Sequence, residues 1–235
     1  LPIWRPIAWP NCPSSRPMNA PAAPRLKITE IFRSLQGEGD AVGFPTVFIR
    51  LTGCPLRCRY CDTAYAFGGG EWMSLDQILD TVRGHATRHV CVTGGEPLAQ
   101  ANCLPLLQRL CDAGFRVSLE TSGALPVQEV DARVSRVVDV KTPESGEAHR
   151  NLLDQLDVLG ERDQVKFVIC SRTDYEWSRD MVRERALPDR TMVLFSPSHG
   201  QVQARDLAEW ILADGLSVRM QVQLHKILWG NEPGR

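Results

Sequence analysis

From Lys27 onward the chain alternates between two rhythms of apolar and polar positions. Short apolar or period-two runs predict strands at KITEIFRSL (Lys27 to Leu35), TVFIRL (Thr46 to Leu51) and HVCVT (His89 to Thr93). Further strands are predicted at FRVSLET (Phe115 to Thr121), RVVDVK (Arg136 to Lys141), VKFVI (Val165 to Ile169), MVLFSP (Met192 to Pro197) and SVRMQVQL (Ser217 to Leu224). Between them the period lengthens. Ser74 caps a helix with Leu75, Ile78, Leu79 and Val82 on one face. Leu104, Leu107 and Leu110 mark a second helix, stopped by Gly114. Others are expected over about 149–159, 175–186 and 204–212, the last ending near Gly215. Strands alternating with helices at this pitch predict an α/β fold with a parallel sheet and right-handed crossovers. Six or seven such units fall one or two short of a full eight-unit barrel, so the expectation is an open, incomplete βα barrel of about six parallel strands. Functional groups then gather at the carboxyl ends of the strands.

The first 24 residues break the rhythm. Proline recurs at Pro2, Pro6, Pro10, Pro13, Pro17, Pro21 and Pro24, which suits neither helix nor sheet interior. The segment opens on Leu1, and the first methionine is Met18. It reads either as an extension upstream of a natural start at Met18, or as a proline-rich arm anchored by Trp4 and Trp9. Residues 25–235 are expected to form a single domain.

Composition narrows the class. The 235 residues are 43% hydrophobic and 23% charged, with a formal net charge of −1, as in an ordinary globular protein with a full core. That balance argues against a broad nucleic-acid or membrane footprint. No apolar run approaches a membrane span, and the first residues lack the features of a secretory signal. Of eight cysteines, three crowd into eight residues; Cys12, Cys91, Cys103, Cys111 and Cys170 are scattered and read as small apolar residues. The pattern fits a reducing, cytoplasmic setting with one metal site.

That site is CPLRCRYC, with thiols at Cys54, Cys58 and Cys61. Thiolates are the ligands of iron–sulfur clusters, and a four-iron cluster normally takes four. Three leave one iron open for chemistry. Zinc is the alternative, but a structural zinc site wants four ligands, and the nearest histidines, His85 and His89, complete no recognisable finger. Downstream, TGGEP (Thr93 to Pro97) follows a strand. Gly94 and Gly95 let backbone amides approach a ligand, and Glu96 offers a carboxylate to an ammonium group.

Together these two segments resemble the radical S-adenosylmethionine superfamily. The resemblance implies that the three thiolates hold a 4Fe–4S cluster whose open iron binds S-adenosylmethionine. One electron then generates a 5′-deoxyadenosyl radical. It also implies that Tyr60 packs near the adenine. FRSLQGEG (Phe32 to Gly39), FIRLTGCPLRCRYCDT (Phe48 to Thr63), SLETSG (Ser118 to Gly123), DVKTPESGE (Asp139 to Glu147) and QVQLHKILWG (Gln221 to Gly230) narrow the likeness. Over about residues 27–230 the chain is similar to the 7-carboxy-7-deazaguanine synthase family. That family converts 6-carboxy-5,6,7,8-tetrahydropterin to 7-carboxy-7-deazaguanine with loss of ammonia, on the queuosine and deazapurine route.

By that resemblance Leu35, Gln36, Gly37 and Glu38 border the pterin, and Thr93 contacts it. Arg50 grips the substrate carboxylate, for which a guanidinium fork is suited; the plain alternative for Arg50 is a surface salt bridge. Thr63, beside Asp62, ligates magnesium. Cys61, Asp62, Gly95, Glu96, Ser122, Asp139, Lys141 and Ser196 belong to the S-adenosylmethionine pocket, and His225 to the substrate end. Relatives often carry Ser-Pro-Lys where this chain has Asp139-Val140-Lys141, so backbone contacts there transfer better than side-chain ones. A reductant such as flavodoxin or ferredoxin and a homodimer are expected partners. Two other readings share parts of the pattern: an activating enzyme for a glycyl-radical protein, and a non-catalytic iron–sulfur electron-transfer module.

Overall fold

The computed structural model describes residues 23–230, 232 and 234. The expectations about the proline-rich start and Cys12 lie outside the described residues, apart from 23 and 24. The elements run β1 (Arg25–Leu35), β2 (Pro45–Leu51), β3 (Glu71–Ser74), α1 (Leu75–Arg83), β4 (His89–Gly94), α2 (Cys103–Asp112), β5 (Arg116–Thr121) and β6 (Ser135–Val140). They continue with β7 (Gln164–Ile169), α3 (Arg172–Glu184), β8 (Met192–Pro197), α4 (Ala204–Ala213), β9 (Arg219–Met220) and α5 (Leu224–Trp229).

All nine strands form one sheet, ordered β3-β1-β2-β4-β5-β6-β7-β8-β9. β2 and β4 through β9 pair in parallel; β1 is antiparallel to both β2 and β3. The outer strands β3 and β9 do not pair with each other, so the sheet stays open, as the strand count predicts.

Strand periodicity divides the sheet into two faces. Val47, Ile49 and Leu51 of β2, Val90 and Val92 of β4, Val138 and Val140 of β6, and Val165, Phe167 and Ile169 of β7 enter the core. Helices cover them through Ile78 and Val82 of α1, Leu106, Leu107 and Leu110 of α2, and Tyr175 and Val182 of α3. α1 starts where the sequence places it: Ser74 Oγ accepts from Gln77 N–H, and the Gln77 side chain accepts from Ser74 N–H. The alternate positions point the other way. Phe48, Arg50, Thr93, Glu120, Val137, Asp139, Lys166 and Val168 line a cavity.

Two predicted elements differ. The helix expected over 149–159 is replaced by 3-10 turns at Ala148–Arg150 and Leu153–Val158. Asn151 between them is held sideways, its amide pairing with both the N–H and the C=O of Lys141 at 2.9 and 2.8 Å. Leu152 N–H donates to Gly123 O. These long-range bonds compete with the helical ladder and win. The strand expected over 217–224 shrinks to Arg219–Met220. There Gln221 turns its side chain to Gly39 N–H and Ser196 Oγ, and Leu224 N–H donates to Gly37 O, which bends the chain off the sheet edge into α5. The four-residue β3, too short for a periodic signal, was not anticipated.

Candidate active site

The cavity has a volume of about 770 Å³, in the range of small-molecule sites. It lies at the carboxyl ends of the central strands and is walled by two loops and, toward the end of the chain, by Gln223, His225, Lys226, Gly230, Glu232 and Gly234.

The CPLRCRYC loop leaves β2 and folds back over that end. Gly53 N–H donates to Ala66 O, and Glu96 N–H donates to Gly53 O, both at 2.8 Å. Arg57 lies inside the loop, donating to the carbonyls of Cys54 and Leu56 at 2.8 and 2.6 Å and stacking over Phe67. Leu56 is its apolar anchor, 1% exposed. The thiols of Cys54, Cys58 and Cys61 are half-buried and face the cavity. Burial raises the Cys54 thiol above its ordinary value and pushes that of Cys58 up to about 11. Binding metal here therefore displaces protons.

This donor set fits a multi-iron cluster. Among the described residues, no group of three or more His, Cys, Asp or Glu side chains converges on a single-ion site. Three thiols that line one cavity suit a cluster in which each takes a different iron. His89 stacks on Phe44 instead, with ring centroids 4.8 Å apart, so it does not complete a zinc site.

TGGEP closes on the same loop. A Cβ on Gly95 would run into the Gly53 carbonyl and come within 2.8 Å of Cys54 Cβ. Only glycine allows this contact. Glu96, expected to meet a ligand's ammonium, is fully buried and does not line the cavity. Its carboxylate accepts from Ser122 N–H and Oγ at 2.7 and 2.6 Å, and from Thr121 Oγ1 and Leu98 N–H. The TGGEP carboxylate thus positions Ser122, which does line the cavity. Ser196 is also displaced from its expected place: it lies under the wall and accepts from Gln221. Ser198 and His199 line the cavity instead.

Beside the thiols, Tyr60 presents its ring to Lys141 Nζ, 5.6 Å from the centroid, and its buried hydroxyl has no hydrogen-bond partner among the described residues. Asp62 and Thr63 line the rim, with Thr63 Oγ1 3.7 Å from Cys61 Sγ. Asp139 and Lys141 pair at 3.1 Å.

The far half is polar as well. Leu35, Gln36, Gly37 and Glu38 form one wall, tied by Gln36 Oε1 accepting from Gly37 N–H at 2.9 Å. His225 turns the Nδ1 edge of its ring to Gly37, whose missing side chain leaves the room: a Cβ would lie 3.2 Å from His225 Cγ. Burial lowers the His225 pKa, favouring the neutral ring. Arg50 lines the floor and donates to Glu30 Oε1 at 2.7 Å, and Tyr65 donates to the same oxygen. Its side chain is 14% exposed, so the pair is no surface salt bridge. Thr93 Oγ1 bonds to Glu120 at 3.4 Å.

Two charged residues of this floor, Glu120 and Lys166, were missed from sequence. Lys166 carried a usable signal: a lysine inside an otherwise apolar strand must face something polar.

The radical SAM superfamily model matches residues 48–140, from β2 through β6. Over 222 residues the chain is 43% identical to the 7-carboxy-7-deazaguanine synthase of Koribacter versatilis, covering 88% of this chain and 98% of that protein. Identity with the enzyme of the same name from Chlorobaculum tepidum is 44%, over 87% and 94% of the two chains. The crystal structure of QueE from Escherichia coli superposes with a TM-score of 0.71 at 27% identity, over 86% of this chain and 95% of that one. Three thiols in one loop, a glycine turn locked against them and likeness over nearly the whole length of these relatives agree: the chain belongs to the 7-carboxy-7-deazaguanine synthase family of radical SAM enzymes.

Proposed function

We propose that this chain converts 6-carboxy-5,6,7,8-tetrahydropterin to 7-carboxy-7-deazaguanine with loss of ammonia. Cys54, Cys58 and Cys61 hold the 4Fe–4S cluster, with S-adenosylmethionine beside it. When bound, the cluster supplies the electron that cleaves the S-adenosylmethionine sulfonium.

The protein's own share is placement. Gly95 brings the TGGEP backbone against the cluster loop, and Glu96 fixes the Ser122 N–H and hydroxyl at the cavity edge. Tyr60, Asp139 and Lys141 form the cofactor wall. Arg50 presents a guanidinium to the pterin carboxylate, oriented by Glu30, which Tyr65 also holds. Gln36, Glu38, Thr93 and Glu120 offer acceptors and donors matching the polar edge of a pterin. His225, neutral near pH 7, closes the side over Gly37 without adding charge. Thr63 supplies a hard oxygen donor for magnesium, whose remaining ligands would be water or substrate oxygens.

The single observation that carries this reading is one continuous cavity with the three thiols at one end and Arg50 among pterin-matching polar groups at the other. A low-potential carrier such as flavodoxin or ferredoxin serves as reductant, and the open sheet edges suit a homodimer. The test is turnover under anaerobic conditions. Reduced, cluster-reconstituted protein with S-adenosylmethionine, magnesium and the carboxytetrahydropterin should release ammonia and a deazapurine in equal amounts. Formation of 5′-deoxyadenosine with the pterin left intact would sink the proposal.

A further inference from the structure

Lys166 is the central charge of the cavity floor. Its Nζ lies 3.1 Å from Glu38 Oε2 and 3.5 Å from Asp139 Oδ2, and Lys141 Nζ is 3.1 Å from that same Asp139 oxygen. The four side chains make an alternating row, Glu38–Lys166–Asp139–Lys141, drawn from the loop after β1, from β7 and from the end of β6. All four line the cavity. The row is well enclosed: the side chains of Glu38, Asp139 and Lys166 are 11%, 17% and 9% exposed.

Each carboxylate uses only one oxygen in this row. Glu38 Oε1 and Asp139 Oδ1 are buried and have no hydrogen-bond partner among the described residues. A buried carboxylate oxygen without a donor is costly, so each is suited to receive an N–H or O–H from a bound molecule. They flank Lys166 on two sides. Asp139 acts electrostatically on Tyr60 and Cys58 of the cluster loop. Glu38 acts on Glu120 and follows Gln36 and Gly37 in the far wall. Burial alone would lower the Lys166 ammonium, but Glu38 and Asp139 outweigh it, so the lysine stays charged.

We propose that Lys166 is a positioning residue that holds both carboxylates, aiming Glu38 Oε1 at the pterin and Asp139 Oδ1 at S-adenosylmethionine. One ammonium then sets the separation of the two reactants. This inference rests on the ligand assignment given under the proposed function. A purely structural lysine would need no free oxygen on both of its partners.

The test is equilibrium binding, without turnover. The affinities of S-adenosylmethionine and of the carboxytetrahydropterin are measured separately on anaerobic, cluster-reconstituted wild type and variants. Lys166→Gln should weaken the pterin about tenfold, the loss of one charge-assisted hydrogen bond. It should weaken S-adenosylmethionine by less, because Lys141 still holds Asp139. Glu38→Gln should weaken only the pterin, Asp139→Asn only S-adenosylmethionine, and Lys166→Arg should recover part of both losses. Lys166→Gln with wild-type iron content and wild-type pterin affinity would overturn the proposal. If Lys166→Gln does not fold, the two carboxylate variants decide, and unchanged binding of both ligands in both overturns it equally. Wild-type protein that binds no pterin overturns the substrate reading, and with it the role of Glu38. In that case the Asp139 arm stands or falls alone.

Discussion

A single hydrogen at Gly95 lets the cluster loop lie against the sheet. Gly95→Ala puts a methyl group against the Gly53 carbonyl and Cys54 Cβ, both backbone-fixed. Overpacking of this kind costs roughly 1–3 kcal/mol. The variant should retain less iron per chain after reconstitution and melt earlier; full iron content with wild-type melting would refute the account. His225 sets a pH limit. Burial lowers its pKa below the ordinary 6.5. Above that value the ring is neutral both folded and unfolded, and it contributes nothing to pH dependence. Below it the unfolded chain takes up a proton that the folded cavity resists, so stability falls as pH drops. His225→Gln should flatten this part of the stability–pH curve, measured by thermal melting between about pH 7 and 5. At this scale the sequence was legible where chemistry is encoded by rare residue types. Cys54, Cys58, Cys61, the glycine pair and Arg50 all reach the cavity. Glu96 and Ser196 lie beneath the cavity wall, a placement that spacing in the sequence does not distinguish from the wall itself.

Among the elements, strands and capped helices were readable from local pattern: apolar residues at period two or 3.6, with Ser74 and Gly114 as punctuation. The segment over 149–159 was not, since its conformation depends on Lys141 and Gly123, distant in the chain. Asn151 is the pivotal residue. Asn151→Ala leaves the Lys141 N–H and C=O without their partners, at a cost of about 1–3 kcal/mol. Its melting temperature should fall by roughly 2–4 °C for each kcal/mol. An unchanged melting temperature would show that the 3-10 turns are held by packing alone. β7 shows a related limit. Its apolar run was read correctly as a strand, but which polar groups meet Lys166 depends on the strand order, which no local pattern contains.

For the molecule as a whole, the hydrophobic core and the cluster loop are separate structures. The core is built from the strands and the helices α1 to α4, while Cys54, Cys58 and Cys61 take no part in it. Metal removal should therefore leave the fold standing. A variant with all three thiols changed to serine should lack the visible absorbance of an iron–sulfur centre, yet keep the far-ultraviolet circular dichroism of the wild type. Loss of that secondary structure would mean that the cluster is needed for folding. Among the described residues, no helix is long and apolar enough to cross a membrane. The open architecture was legible from the number of βα units, whereas the antiparallel direction of β1 and the edge strand β3 were not, because local pattern does not encode strand direction and β3 has only four residues.

The bond from Leu224 N–H to Gly37 O joins the first loop of the cavity to its last helix. On a ribosome, those two halves are far apart in time. At about 5–20 residues per second, some 8–30 s pass between emergence of the thiol loop and that of α5. Throughout that interval the nascent chain exposes three thiols beside an unfinished wall. Iron delivered during synthesis would meet a vessel open on one side, which the bond from Leu224 to Gly37 closes only when the last helix has formed.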